Sequence, residues 1–249
     1  MALLVKERYG LTYRDAEIYL KENKQTCLEC GMTEMPDHNT IWRTMTKLRE
    51  PYLKHLNHEV NQLFKKTEKR IAVDATGFSP KAYHSWRRNE SRREYIKLHA
   101  AVGLLYKAIP SMEVTTGTVG DTTQLGTLLE NLDDIESVSG DTGYLSHRNC
   151  ELIEAKGATP YLKPRRHSPE QPIGPPAWKR MIHSYRRDKR RWMKHYHTRS
   201  MAETAFSAIK RTLGHRLTST RRDHQKLELM TKVIVYNITV LIKSRQRGV

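Results

Sequence analysis

Apolar positions in the first 66 residues recur at helical spacing. Residues 11–24 read as one helix: Thr12 followed by Asp15 resembles a capping box with the shorter acid, and Leu11 with Ala16 can form a hydrophobic staple. Pro36 closes the next loop, and Asp37, Asn39 or Thr40 can cap a second helix running to about residue 49, with Ile41, Trp42, Met45 and Leu48 at helical spacing. Glu50-Pro51 breaks that helix. A further helix over 51–66 would turn Tyr52, Leu56, Val60 and Leu63 inward. Two or three short helices with a polar turn before the last fit either a helix-turn-helix-like DNA module or a plain helical cap.

From Ile71 the period changes. Residues 71–75 form a short apolar strand, and 95–106 and 111–119 predict two more. Asp121 reads as a helix cap, with Leu125, Leu128, Leu129 and Leu132 on the buried side. A fourth strand at 136–140, a helix over 146–156 and a fifth strand at 158–162 follow. Three consecutive strands and then helix-separated strands fit an α/β layer architecture. Further on, Met201, Ala205, Ile209 and Leu213 recur near the four-residue spacing of a buried helical stripe. Tyr196, Arg199, Glu203 and Lys210 fall outside it, within about a 60° sector if one helix carries all four. That face suits work on a polyanion; its ordinary alternative is a solvated surface held by local pairs such as Arg199–Glu203.

Composition narrows the partners. A chain of 249 residues can bury one substantial core plus a smaller helical domain. Its formal charge of +17 comes from 44 Lys and Arg against 27 Asp and Glu, which favours nucleic acid or another anionic surface. No stretch offers about 18 consecutive apolar residues for a membrane span; the most apolar one, 227–242, is interrupted by Glu228, Lys232 and Asn237. The run after Met1 is too short for a signal peptide. Three cysteines suggest a reducing, cytoplasmic setting. Cys27 and Cys30 have only His38 nearby and no second pair, short of a zinc set, so buried or partly buried free thiols are expected.

Residues 163–195 form a basic, proline-rich arm. Six of the ten prolines lie within 160–176, and Asp188 is the one acid between Lys179 and Arg199. Arg186, Arg187, Arg190 and Arg191 interleave with Trp178, Tyr185 and Trp192, which suits phosphate contact with base stacking. A solvated charged helix is the alternative, though such helices normally balance their signs.

Three segments together resemble a family. Ile71-Ala72-Val73-Asp74-Ala75-Thr76-Gly77-Phe78, Val138-Ser139-Gly140-Asp141-Thr142-Gly143-Tyr144 and the spacing Tyr196-x2-Arg199-x3-Glu203-x6-Lys210 are similar, in that order, to the three acidic motifs of insertion-sequence transposases of the DDE type. Lys232-Val233-Ile234-Val235-Tyr236-Asn237 resembles the family's closing helix, and Pro36-Asp37-His38-Asn39-Thr40 its N-terminal turn. Relative to that family the chain is short at its N-terminus. The resemblance implies an α/β, ribonuclease H-like mixed five-stranded sheet flanked by helices over 67–249, and a small all-helical DNA-binding region over 1–66.

It also implies that Asp74, Asp141 and Glu203 are catalytic and hold Mg²⁺ or Mn²⁺, two ions in all, and that Arg199 and Lys210 grip DNA phosphates with support from Tyr196. Asp74 should then lie on a strand adjacent to the one ending at Asp141, with Glu203 facing both from a helix. Each acid has a duller alternative: a turn before Gly77, the Asp-Thr-Gly turn, or pairing with Arg199. Asp121 is a fourth acid whose capping context favours a structural role. His99 and His147 could approach the site. The implied function is a DNA transposase that binds inverted-repeat ends, cleaves DNA and joins it to a target, as a homodimer on DNA ends. A nuclease that cuts without joining and a silent DNA-binding remnant are the alternatives.

Overall fold

A computed structural model describes residues 1–80, 95–165 and 173–247. Prolines 169 and 172 of the arm lie outside the described residues. Helices open the chain: α1 (Ala2–Tyr9), α2 (Tyr13–Glu22), α3 (Lys24–Glu29), α4 (His38–Lys47) and α5 (Glu50–Gln62). The Thr12–Asp15 capping box is present in full, and Asp37 caps α4 by accepting from the Thr40 N–H at 2.6 Å. Helices α2 and α4 pack on each other around Ala16, Leu20, Cys27 and Ile41, joined through α3 and a loop instead of a tight turn. Cys27 is buried as a thiol, whereas Cys30 is exposed.

Three strands in succession and then a mixture of helices and strands follow: β1 (Arg70–Pro80), β2 (Ile96–Gly103), β3 (Ser111–Thr116), α6 (Leu125–Leu129), β4 (Ser137–Gly140), α7 (His147–Ala155), β5 (Thr159–Leu162), α8 (Pro176–Arg187), α9 (Lys189–His197), α10 (Ser200–Leu213), β6 (Arg216–Leu217) and α11 (Arg222–Gln246). The sheet runs β3-β2-β1-β4-β5, with β1 antiparallel to β2 and parallel to β4. This is the ribonuclease H-like arrangement the resemblance implied, with a sixth, two-residue strand, β6, paired to the far end of β1.

Both faces of the sheet are covered, so central β1 buries Ile71, Ala72 and Val73 without alternation. One face, with Ala72, Phe78, Leu98 and Val102, packs on α10 and α11. The other, with Ile71, Val73 and Val138, packs on α6 to α9. Helix α11 is buried nearly all round over 224–237 because α1 and α5 lie against it as well. The polar residues that interrupt its apolar run are bonded inside. Asn237 takes the Ile109 N–H at 2.8 Å and donates to Ile109 O at 2.8 Å and to Asn57 Oδ1 at 2.7 Å.

Candidate active site

Parallel pairing of Val73 with Gly140 brings the next residue of each strand, Asp74 and Asp141, to the crevice where β4 ends and β1 runs on. Open α/β sheets bind ligands in such crevices at the carboxyl ends of strands. Side chains on β1 alternate, so Asp74, Thr76 and Phe78 face α10. Arg199 reaches down from the start of that helix. Its Nη1 donates to Asp74 Oδ2 at 2.9 Å and its Nη2 to Glu203 Oε1 at 2.7 Å, so one guanidinium joins two of the three acids. Lys210, two turns on, donates to Thr76 Oγ1 at 2.6 Å and lies over the Phe78 ring. The Asp141 side chain accepts from the Gly143 N–H at 2.8 Å and caps a 3₁₀ turn, Thr142–Tyr144.

Burial raises the Asp74 carboxyl above its ordinary pKa, and the charges of Asp141 and Glu203 push the same way against Ala75 N–H and Arg199. Burial pulls Lys210 down. For Arg199, burial is outweighed by Asp74, Tyr196 and Glu203, which raise it.

Glu203 and Lys210 do share one helix, with Arg199 at its N-cap, but Tyr196 does not join them. It belongs to α9, which ends at His197, and α10 starts at Ser200. The break has a physical cause. Tyr196 is 7 % exposed and stacks on Trp192 within the apolar cluster of one sheet face, while α10 packs on the other face. A continuous helix could not serve both. The Tyr196 ring is therefore not on the open surface with Glu203.

The arm is corrected in the same way. Residues 176–197 are two helices docked on the core by Trp178, Met181, Ile182, Trp192 and Tyr196. Trp178 and Trp192 are buried, and Tyr185 meets Trp192 edge-on, so these rings fill the core and are not laid out for base stacking. Arg186, Arg187, Arg190 and Arg191 are exposed. Arg187 and Arg191, with His183 and His195, border an open groove of about 1050 Å³.

Four residues that periodicity did not single out for the site stand beside it. Asp121 Oδ1 lies 2.5 Å from Lys97 Nζ and 3.3 Å from Nδ1 of the fully buried His99. The other ring nitrogen of His99 sits 2.9 Å from Thr115 Oγ1. Asp121 does not cap its 3₁₀ turn, Asp121–Thr123; Gly120 holds that position, with no side-chain cap bond. Burial would raise the Asp121 carboxyl, but His99 and Lys97 more than offset it, and its pKa is lowered. Tyr144 is fully buried, with its hydroxyl unpartnered. His147 instead starts α7 and packs on Trp178.

Carboxylate oxygens are the hard donors that Mg²⁺ and Mn²⁺ take, and the mutual repulsion felt by Asp74 is what a cation would relieve. The donor set fits such an ion. Among the described residues, no three His, Cys, Asp or Glu side chains stand together as ligands in this conformation. Arg199 supplies the positive charge between Asp74 and Glu203 instead.

A ribonuclease H-like sheet with one acid within its central strand and another just past the end of the adjacent parallel strand defines the class. Within it, the model of the transposase DDE domain matches residues 65–238, and the chain belongs to that family. Among solved structures, a piggyBac transposase in a synaptic complex with hairpin DNA is similar, at 12 % identity and a TM-score of 0.45 over 80 % of this chain. This chain spans 55 % of that protein's length. No curated protein matches in sequence. Among the described residues, no helix is long and apolar enough to cross a membrane.

Proposed function

We propose that this chain is a DNA transposase that binds the inverted-repeat ends of an insertion sequence, cleaves them and joins the freed ends to target DNA. The observation that carries the reading is the joining of Asp74, beside Asp141 on adjacent strands, to Glu203 of α10 through Arg199, in a chain of the DDE family. Asp74, Asp141 and Glu203 would hold divalent ions. Bound there, Mg²⁺ or Mn²⁺ supplies charge stabilisation at the attacking and leaving oxygens of phosphodiester exchange. Water is the nucleophile in cleavage and the exposed 3′-hydroxyl in joining, so no side-chain nucleophile is needed.

Arg199 and Lys210 are half-buried cations at the lip of the crevice, fit to grip the phosphates beside the scissile bond. To do so Arg199 exchanges a carboxylate for a phosphate oxygen, and Glu203, 56 % exposed, is free to turn inward as it is released. Tyr196 supports Arg199 from below. The exposed arginines of α8 and α9 would track DNA outside the crevice, and α4 would read the terminal repeats, making 1–66 the recognition region and 67–249 the catalytic one. The active assembly would be a homodimer on two DNA ends.

The test is cleavage and joining of DNA carrying the flanking genomic repeats. Asp74→Asn, Asp141→Asn and Glu203→Gln should each abolish Mg²⁺-dependent cleavage and leave DNA binding largely intact. Normal cleavage by any purified variant removes that residue from the site. Cleavage without joining identifies a nuclease on this fold, and DNA binding with neither activity identifies a silent remnant.

A further inference from the structure

The three-acid reading leaves one carboxylate at the crevice without a role. Asp121 lies in a 3₁₀ turn that packs against the turn following Asp141. The Asn149 side-chain amide ties the two together, donating to Thr122 O at 3.0 Å, Thr122 Oγ1 at 3.1 Å and Tyr144 O at 2.7 Å. Gly143 shows how closely the acids approach. A Cβ there would lie 2.9 Å from Asp141 Oδ1 and 3.2 Å from Asp121 Oδ2, so both oxygens border a space that any other residue would fill. That space opens to solvent, because Gly143 is exposed.

Asp121 is also aimed. Its Oδ1 lies within ion-pair range of Lys97 and of His99 without a hydrogen bond to either, and the His99 ring is fixed by Thr115 and complete burial. This turns Oδ2 toward the Gly143 gap and Asp141. A capping role is not what holds it, since the turn lacks a side-chain cap. An independent sign comes from beneath. The Tyr144 hydroxyl is buried without a partner, and it feels the negative charges of Asp121, Asp74 and Asp141 in that order. Buried polar groups are rarely left unpaired, and an ion site is one setting in which they are.

We propose that Asp121 is a fourth cation-binding carboxylate of this site, facing the same ion as Asp141, with Lys97 and His99 as its positioning residues; the proposal rests on the DDE reading above. Hard divalent ions take six or more oxygens, so a further anionic oxygen near the Asp141 turn adds to a set that two aspartates and one exposed glutamate leave incomplete. A purely structural Lys97–Asp121 pair, the competing role, predicts no effect on metal affinity.

The experiment titrates Mn²⁺ calorimetrically into the full chain bound to repeat DNA. Asp121→Asn should weaken binding about tenfold or more, the scale of losing a group that supports a metal site, and Asp121→Glu should recover part of it. Mn²⁺ affinity unchanged by Asp121→Asn while Asp74→Asn or Asp141→Asn weakens it overturns the proposal and leaves the DDE reading standing. Indifference of all three variants to Mn²⁺ sinks both. A second measurement covers misfolding of Asp121→Asn. Asp121→Cys, made with exposed Cys30→Ser, should give Cd²⁺–thiolate ultraviolet absorption that Asp141→Asn diminishes. No absorption beyond that of Cys30→Ser alone overturns the proposal.

Discussion

A charge inside a sheet or helix packing survives only where neighbours answer it, and two carboxylates of this molecule are answered by different means. Asp74 is answered by a movable side chain, Arg199, as suits a site that must change partners. Glu228 of α11, fully buried, is answered by fixed groups: Lys232 at 3.4 Å, and the N–H groups of Thr218 and Ser219, each donating at 2.8 Å. Burial would raise Glu228, but these partners outweigh it and hold its pKa below the usual glutamate value. A carboxyl lowered on folding adds stability above its unfolded pKa and loses it as pH falls through the folded one. Stability measured by urea unfolding should therefore fall below the ordinary glutamate range. Glu228→Gln should cost about 3 kcal/mol at neutral pH by stranding Lys232 and flatten that acid dependence. An unchanged urea midpoint would show the pair contributes nothing. The same contrast explains what could be read in advance at this scale. Asp74, Asp141 and Glu203 each sit in a local motif, whereas Asp121, Lys97, His99 and Tyr144 meet only once β2 has paired with β1 and the two 3₁₀ turns have docked, which no spacing along the chain encodes.

At the scale of elements, period revealed helices and strands more reliably than it revealed their inward faces. On α5, Tyr52 and Leu63 are exposed, while Leu53, Asn57 and Val60 are buried. Asn57 is inward because it donates to Ile109 O at 2.9 Å, a role that an apolar count scores as outside. Trp42 of α4 is likewise exposed beside Ile41 and Met45, which are buried. On α9, the reverse holds: Trp192, expected to stack on DNA, and Tyr196, expected to support phosphate contacts, pack inward and leave the arginines outside. This sorting sharpens a prediction. If Arg186, Arg187, Arg190 and Arg191 all touch phosphates, replacing them with Ala should weaken binding to every sequence alike and flatten the slope of log affinity against log salt by about 3.6. Replacing the exposed Trp42, Arg43 and Lys47 of α4 should instead reduce preference for terminal repeats over random DNA, since base contacts specify where phosphate contacts only position. Competition binding at several salt concentrations separates the two. An unchanged salt slope in the first variant would leave the α8–α9 arginines as solvated surface, and unchanged preference in the second would move sequence reading away from α4.

Across the whole molecule, sheet order and charge set what one copy can do. Strand order β3-β2-β1-β4-β5 sets a crevice at the end of β4, where the three acids of the proposed site would act. Under the proposed function one copy presents one reaction centre, while moving an element requires reaction at two DNA ends. A charge of +17 opposes self-association in free solution, and polyanionic DNA removes that opposition. Two copies should then assemble on paired ends and act together, which a mixing experiment can test. Asp74→Asn binds DNA but cannot cut it under the proposed function. Mixed one to one with the parent chain at constant total protein, with DNA limiting, it should lower paired-end joining to about a quarter, because only pairs with two active copies complete the reaction. Independent single copies would give a half. A halving, with complexes containing one chain per DNA end and no pairing of ends by mass measurement, would defeat the dimer assignment while leaving the chemistry of each crevice untouched.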